Sequence, residues 1–418
     1  MILYAQKKQK CAISFGNINE LHYLCISLTE NIRSIQTNRN MKSVEIKRVK
    51  DQKGLKQFIQ FYYDLYRDHP YAVPFLYADE FATLSADKNP SFECCEAEYF
   101  MAFRDGKMVG RIAGIINDRA NRRWQSKQVR FGWFDFIDDQ EVSEALLKAV
   151  ENWGKKKGMT EMVGPIGFID TDREGMLVEG FDKLATMYIN YNEPYYPQHM
   201  ERMAGFEKDN DYVEYRVKVP DTVPDKFCKI AAMVEKRYGL SVRKFNHQEL
   251  KKEGYAREFF NLLNATYKDL YGFSELSQRQ IDKLVDEYIG FADLNLVTAV
   301  MDGNRMVGFG ITFPSFSKAL QKTKDGRLLP LGWWHLLKTL KWHKTDTVDL
   351  LLIGVLPEYR PKGANALIFN DLIVQFQNYG FKWAETGPQM ESNEGVLSQW
   401  QYLDWSMHRR HRCYKKLF

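Results

Sequence analysis

The run from Leu350 to Phe369 joins residue types that can hold an anion. An apolar stretch of strand length, Leu350 to Leu356, ends at Pro357. A short polar loop, Glu358 to Gly363, follows, and an apolar-periodic helix is predicted from Ala364 onward. Amides in the first turn of a helix have no intrahelical partners, and the helix dipole adds partial positive charge there. Arg360 and Lys362 contribute two cations, so the spacing points to a phosphate or pyrophosphate guest; the bland alternative is an ordinary strand-to-helix turn with a basic rim. No Gly-x-x-x-x-Gly-Lys-Ser/Thr occurs, which excludes a Walker-type loop. A second stretch, Gly164 to Phe181, is glycine-rich, acidic and aromatic. Its Asp170, Asp172, Glu174 and Glu179 are either neutralisers of a cationic amine or a solvated acidic loop. A third, Leu328 to Lys344, places Leu329, Trp333, Leu336, Leu337 and Leu340 on one helical face and His335, Lys338 and Lys341 on another. Such a helix lies on an anionic bilayer, caps a lipid-sized pocket, or packs into a core with its basic side wet.

Positioning these groups takes a large scaffold. The 418 residues suffice for two or three domains, and 44% hydrophobic with 27% charged residues is the balance of a soluble globular protein. The formal net charge of +5 suits a polyanionic ligand or an anionic membrane and does not call for nucleic acid. Six cysteines show no CxxC pair and no metal-ligand spacing with histidine, so a reduced, cytoplasmic chain without a metal is expected. No run of 18 apolar residues is present to span a bilayer. The first 40 residues show neither a signal peptide nor a clear element pattern. Met41-Lys-Ser-Val-Glu-Ile reads as a natural start opening on a strand, so residues 1–40 are expected to be a poorly structured upstream extension.

From Met41 onward the pattern occurs twice. Val44 to Lys50 and an amphipathic helix over 54–67 match Leu240 to Phe245 and a helix over 255–271. Glu98–Gly110 and Leu294–Gly308 each carry Asp-Gly between alternating apolar runs, a strong hairpin signal, and each ends in Met-Val-Gly. A strand, a long helix and a strand ending in Gly-Pro follow in both, at Gly164-Pro165 and Gly387-Pro388. Each half then ends on a helix, a turn and a closing strand, Tyr212–Val217 and His411–Leu417, so each is expected to close its own sheet. The expected domains are 41–219 and 220–418, the second carrying an amphipathic insertion over 313–346.

This order, with Val355-Leu-Pro357 followed by Arg360-Pro-Lys-Gly363-Ala-Asn-Ala366, resembles the GNAT superfamily of acyl-CoA N-acyltransferases. The resemblance implies an α/β fold on a mixed sheet, two tandem GNAT-like domains. It implies an acyl-CoA or acetyl-CoA donor, or an acyl carrier protein, and an amine acceptor. Donor contacts then fall on Gly354, Val355, Leu356, Arg360, Lys362, Gly363, Ala364, Asn365, Ala366 and Asn393. Glu385 and Glu391 become the bases, and Tyr402 (or Tyr414) the donor to the leaving thiolate. The first copy has the acidic Ile137-Asp-Asp-Gln-Glu-Val-Ser143 in place of the basic loop and is expected to serve as scaffold and acceptor wall. The stretch from Gly164 to Phe181, with Asn192-Glu-Pro-Tyr195-Tyr196 and Ala204-Gly-Phe206, is similar to a group of bacterial tandem GNAT proteins, one branch of which is linked to N-acylation of long-chain amino-lipids such as sphingoid bases. Tyr195 and Tyr196 join the four acids as acceptor contacts on that resemblance, and the amphipathic insertion adds a peripheral position at the inner membrane to the cytoplasmic expectation. The competing reading is a non-catalytic scaffold that binds an acyl-phosphopantetheine or lipid.

Overall fold

In the computed structural model, residues 43–169, 172–290, 292–393, 395 and 399–418 are described. The extension expected over 1–40, and Asp170, lie outside them.

Local chemistry explains the elements. The first half runs β1 (Glu45–Arg48), α1 (Gln52–Leu65), α2 (Tyr77–Leu84), β2 (Cys95–Arg104), β3 (Lys107–Asn117), α3 (Asp118–Trp124), β4 (Gln128–Phe136), α4 (Gln140–Lys156), β5 (Glu161–Gly164), β6 (Met176–Glu179), α5 (Tyr195–Arg202) and β7 (Glu207–Lys218). The second runs α6 (Asp225–Tyr238), β8 (Leu240–Arg243), α7 (His247–Lys252), α8 (Tyr255–Tyr267), α9 (Gln278–Ile289), β9 (Val297–Asp302), β10 (Arg305–Pro314), α10 (Ser317–Gln321), α11 (Gly332–Trp342), β11 (Thr347–Val355), α12 (Asn365–Asn378), β12 (Trp383–Thr386), β13 (Gln389–Met390) and β14 (Trp405–Leu417). The β2–β3 turn has both Asp105 and Gly106 at positive φ, 51° and 78°, the pair a tight hairpin of matching twist requires. Asp51 starts α1 by accepting the Gly54 N–H at 2.7 Å, and Asp139 starts α4 by accepting from Glu141.

One continuous mixed sheet results, in the order β1-β2-β3-β4-β5-β14-β7-β12-β11-β10-β9-β8. Here the structure corrects the sequence reading. Neither half is closed by its own last strand: β14 lies against β5, while β7 lies against β12. β7 and β14 also pair with each other along most of their length. Both closing strands show the same alternation, and alternation identifies a strand without saying which edge it will cover. The exchange leaves no open edge between the halves. The halves read along the chain are therefore not the halves of the sheet, although the 219/220 boundary falls just after β7.

Among the described residues, three large cores hold this together, beside a small cluster around Val163, Ile166, Tyr212 and Cys413. One lies between α4 and β2–β5, and another between α6, α8, α12 and β9–β12. The third spans both halves, joining Phe58, Tyr62 and Phe168 to Phe313, Phe316 and Leu320. It fixes the first half as one wall of whatever opens in the second.

Candidate active site

Each half contains a parallel strand pair that begins together and then diverges. The β4–β5 ladder starts at Gln128↔Glu161, and the β11–β12 ladder at Thr347↔Trp383. Val129 and Met162 face α4 in the first, as Val348 and Ala384 face α12 in the second. The next positions, Arg130↔Val163 and Asp349↔Glu385, are therefore equivalent and turn to the opposite face.

Past that point the forks differ. In the first, the exit segment folds back: the Ile166 N–H donates to Phe131 O at 2.8 Å. Arg130 fills the remaining space, donating to the carbonyls of Gly167 (3.2 Å) and Gly272 (3.1 Å). Asn117 adds a bond to Phe168 O. The acids of the following loop are engaged as well, Asp139 and Glu141 with Arg104, and Asp138 with His199.

In the second fork the last link is Gly387 N–H to Leu350 O, 3.1 Å. Beyond it β13 turns to β7, pairing Gln389 and Met390 with Val213 and Tyr212. Among the described residues, no strand pairs with this edge of β11 beyond Leu350. Leu356 directs its N–H to Val307 on β10, so by alternation Val355 and Ile353 face the fork. Their carbonyls accept from Arg360 Nε (2.9 Å) and the Tyr267 hydroxyl (3.0 Å), leaving their N–H groups aimed at the opening. An apolar cavity of about 170 Å³ opens there, bounded by Leu351, Leu352, Phe313, Phe260, Gly387 and Pro388. Asp172 and Glu174 of the first half complete its wall.

The basic loop is arranged differently from expectation. Arg360 turns its guanidinium inward to Val355 O and Thr266 O rather than outward to an anion. Pro361 has no N–H, and the amides of Lys362 and Gly363 donate to Tyr359 O and Arg360 O. Ala366 N–H goes to Gly363 O. Among the described residues no acceptor takes the N–H groups of Ala364 or Asn365, which are the donors left for a phosphate. Lys362 Nζ sits 4.1 Å over the Tyr359 ring, beside them. Gly363 is at φ +85°, and a Cβ there would lie 2.9 Å from Ile230, so α6 demands glycine twice over.

The expected bases are tied up. Glu391 pairs with Arg410 and with Lys208 (3.3 Å); hydrogen bonding to Arg410 holds its carboxyl below the usual range, the wrong direction for a base at neutral pH. β13 carries it, and Asn393, away from the β11 edge. Glu385 is ion-paired with Arg409 (3.2 Å) and Arg216 (3.6 Å). Tyr402 lies on the outer surface with Lys226 over its ring, and Tyr414 pairs with Gly164 in the first half's sheet. Neither reaches the fork. Tyr196 is a core residue and half-buried Tyr195 packs beside it: the Tyr195 hydroxyl donates to Phe136 O at 2.6 Å and the Tyr196 hydroxyl accepts from Phe136 N at 3.0 Å. Glu179 pairs with Arg410. Asp172 accepts the N–H groups of Phe168 and Ile169; enclosure nevertheless pushes its carboxyl up.

The residue that sequence reasoning missed is Asp349. It is 3% exposed, and burial, reinforced by neighbouring Glu385, holds its carboxyl well above the usual range. The signal was present: one acid inside Val348-Asp-Leu-Leu-Leu-Ile353, a run otherwise apolar. Behind the pair, Arg409 bonds Glu214 at 2.8 Å, both essentially without solvent contact. Burial also lowers the nearby His408 to about 4, so it is neutral at physiological pH. Among the described residues, no group of His, Cys, Asp and Glu is arranged to hold a metal.

No family model matches the chain. It is 27% identical over 368 residues to protein YghO of Escherichia coli strain K12, covering 87% of this chain and 92% of that one. It is 24% identical over 393 residues to a bacterial ceramide synthase of Caulobacter vibrioides, covering 91% and 98%. Among solved structures, a tandem GNAT protein from the clavulanic acid biosynthesis pathway superposes with a TM-score of 0.53 at 12% identity, over 90% of this chain and 98% of that one. A glucosamine N-acetyltransferase region of a fungal multi-domain protein superposes at 0.52 and 11% identity, over 89% of this chain; the chain spans 38% of that protein.

Proposed function

On the tandem GNAT fold that these superpositions establish, we propose an N-acyltransferase that moves an acyl group from a coenzyme A thioester, or an acyl carrier protein, to the amine of a long-chain amino-lipid. The observation that carries this reading is the second fork, open and apolar where the first is closed. The pantetheine arm runs along the free edge of β11. The N–H groups of Ile353 and Val355 are then the donors available to the thioester oxygen as charge develops on it. The cavity takes a hydrocarbon chain, with Asp172 and Glu174 drawing the amine toward the fork. The name of the Caulobacter relative supports a sphingoid-base acceptor.

Asp349 manages the proton. The amine nitrogen bonds to the acyl carbon, the carbon–sulfur bond breaks, and one proton must pass from nitrogen to sulfur. A carboxyl held neutral can give its proton to the departing thiolate and take one back from nitrogen, with no net exchange with solvent. Glu385, tied to Arg409 and Arg216, raises the Asp349 proton affinity and is a positioning residue.

Free thiol release from acyl-CoA of graded chain length, with a sphingoid base and with short amines, tests the proposal. Turnover that needs a long-chain amine supports it. One feature favours a second reading, a binder of acyl-phosphopantetheine: the loop offers few amides for a pyrophosphate. Tight thioester binding with no thiol released for any amine would favour that reading.

A further inference from the structure

Nearly half of the large apolar side chains that the described surface exposes lie within fifteen residues of one another. Leu329 is 78% exposed and Leu331 65%, and Leu328, Trp333, Trp334 and Trp342 join them. Such residues normally scatter singly, and a contiguous patch marks a surface that something covers. The three indoles are in edge contact, Trp333 with Trp334 at 5.7 Å and Trp334 with Trp342 at 5.6 Å.

The charge around the patch selects what covers it. No acid occurs between Asp325 and Asp346, while Lys338, Lys341 and Lys344 fall inside that span. None of these three lysines has an ion pair among the described residues, and Lys338 Nζ lies 5.1 Å from the Trp334 ring. A protein partner would be met by mixed charge. Indoles and leucines rimmed by unpaired lysines match an anionic lipid surface, where amphipathic rings sit at headgroup depth and lysines meet phosphate.

The inner side of α11 is already taken. Leu336 and Leu340 pack on the core that contains Phe313, Phe316 and Leu320, and Leu351 packs there too. Phe313 and Leu351 also line the cavity. The exposed patch and the fork are thus two sides of one packed layer.

We propose that the segment from Leu328 to Lys344 docks the protein onto an anionic bilayer, bringing the cavity beside the lipid phase from which a long-chain amine is drawn. The docking stands on the patch alone; delivery of the amine rests on the N-acyltransferase reading.

The test uses the full chain with vesicles of phosphatidylcholine alone and of phosphatidylcholine with phosphatidylglycerol. Sedimentation is read together with tryptophan emission. The anionic vesicles should bind at least about tenfold more protein, with a blue shift, and about 0.5 M NaCl should release most of it. The double variant L329D/L331D and the charge reversal K338E/K341E should each lose binding about tenfold with unchanged thermal melting, since these side chains face solvent. Equal binding by wild type and variants, or no binding to either vesicle, overturns docking. So does a concentration-dependent dimer that L329D/L331D dissolves, which would make a second copy the occupant. The two claims separate in a turnover assay. Variants that process a detergent-dispersed amine normally but fail with vesicle-borne amine support delivery, whereas bound vesicles with no turnover of any amine refute the enzyme and leave docking intact.

Discussion

Arg130 and Asp349 stand at equivalent places, on the strand leading into each fork and on the face turned from the crossing helix. Their different side chains have opposite consequences. A guanidinium brings a fork of donors, and Arg130 finds the buried carbonyl of Gly167 in its own half and the part-buried carbonyl of Gly272 in the other. The first fork is closed by satisfied hydrogen bonds. A carboxyl offers one O–H at most, against the guanidinium's five N–H groups, and the second fork stays open. Burial, reinforced by Glu385, holds its carboxyl well above the usual range, on the strand whose Leu351 and Leu352 line the apolar cavity. In the proposed enzyme, one copy uses the position for stability and the other for chemistry.

The sharpest break is Asp349→Asn. It keeps shape and neutrality and removes the acidic proton. We expect kcat to fall about 10²–10⁴-fold, with the donor KM within a few-fold of wild type. Unchanged kcat would return Asp349 to the core. Arg130→Met should do the reverse. Stranding the Gly167 and Gly272 carbonyls costs about 2–4 kcal/mol in urea unfolding, while thiol release from folded protein stays within a few-fold of wild type.

A smaller effect follows from pH. The folded-state affinity of Asp349 for its proton exceeds the unfolded one, so its contribution to stability is complete below the ordinary carboxylate range and is lost as pH rises through the folded value. Melting temperature should therefore fall on the alkaline side, and D349N should flatten that limb by about 2 °C or more. A D349N curve parallel to wild type would show that another group is responsible. Least of all, Glu391→Gln should change stability by less than about 1 kcal/mol and leave turnover alone, because its ion pairs are exposed. A large loss of kcat there would restore Glu391 as a base.

Much of this was legible in residues. The Asp-Gly hairpins, the amphipathic helices and the Gly-Pro strand ends recur in order, and local chemistry alone specifies them. The unequal loops after β4 and β11 were equally plain. The exchange of β7 and β14 was not, because two strands of like pattern carry no label for their neighbours. Tyr195 and Tyr196 look like ligand contacts in a polar motif, yet once α5 packs Tyr196 stacks on Phe136 and Tyr195 meets it edge-on. Arg360 looked like a phosphate ligand, but a guanidinium beside unpaired strand carbonyls is drawn to them first. Asp349 passed unnoticed because an acid within an apolar strand reads as a strand edge until the ladder places Glu385 beside it.

The central claim, that the second fork alone holds the thioester, is tested most directly by hydrogen exchange with a non-hydrolysable acyl-CoA thioether. Protection should appear at Leu351–Val355 and at Ala364–Asn365, with none at the equivalent strand end of the first half, Phe131–Phe136. Protection at Phe131–Phe136, or at neither fork under saturating ligand, would contradict it.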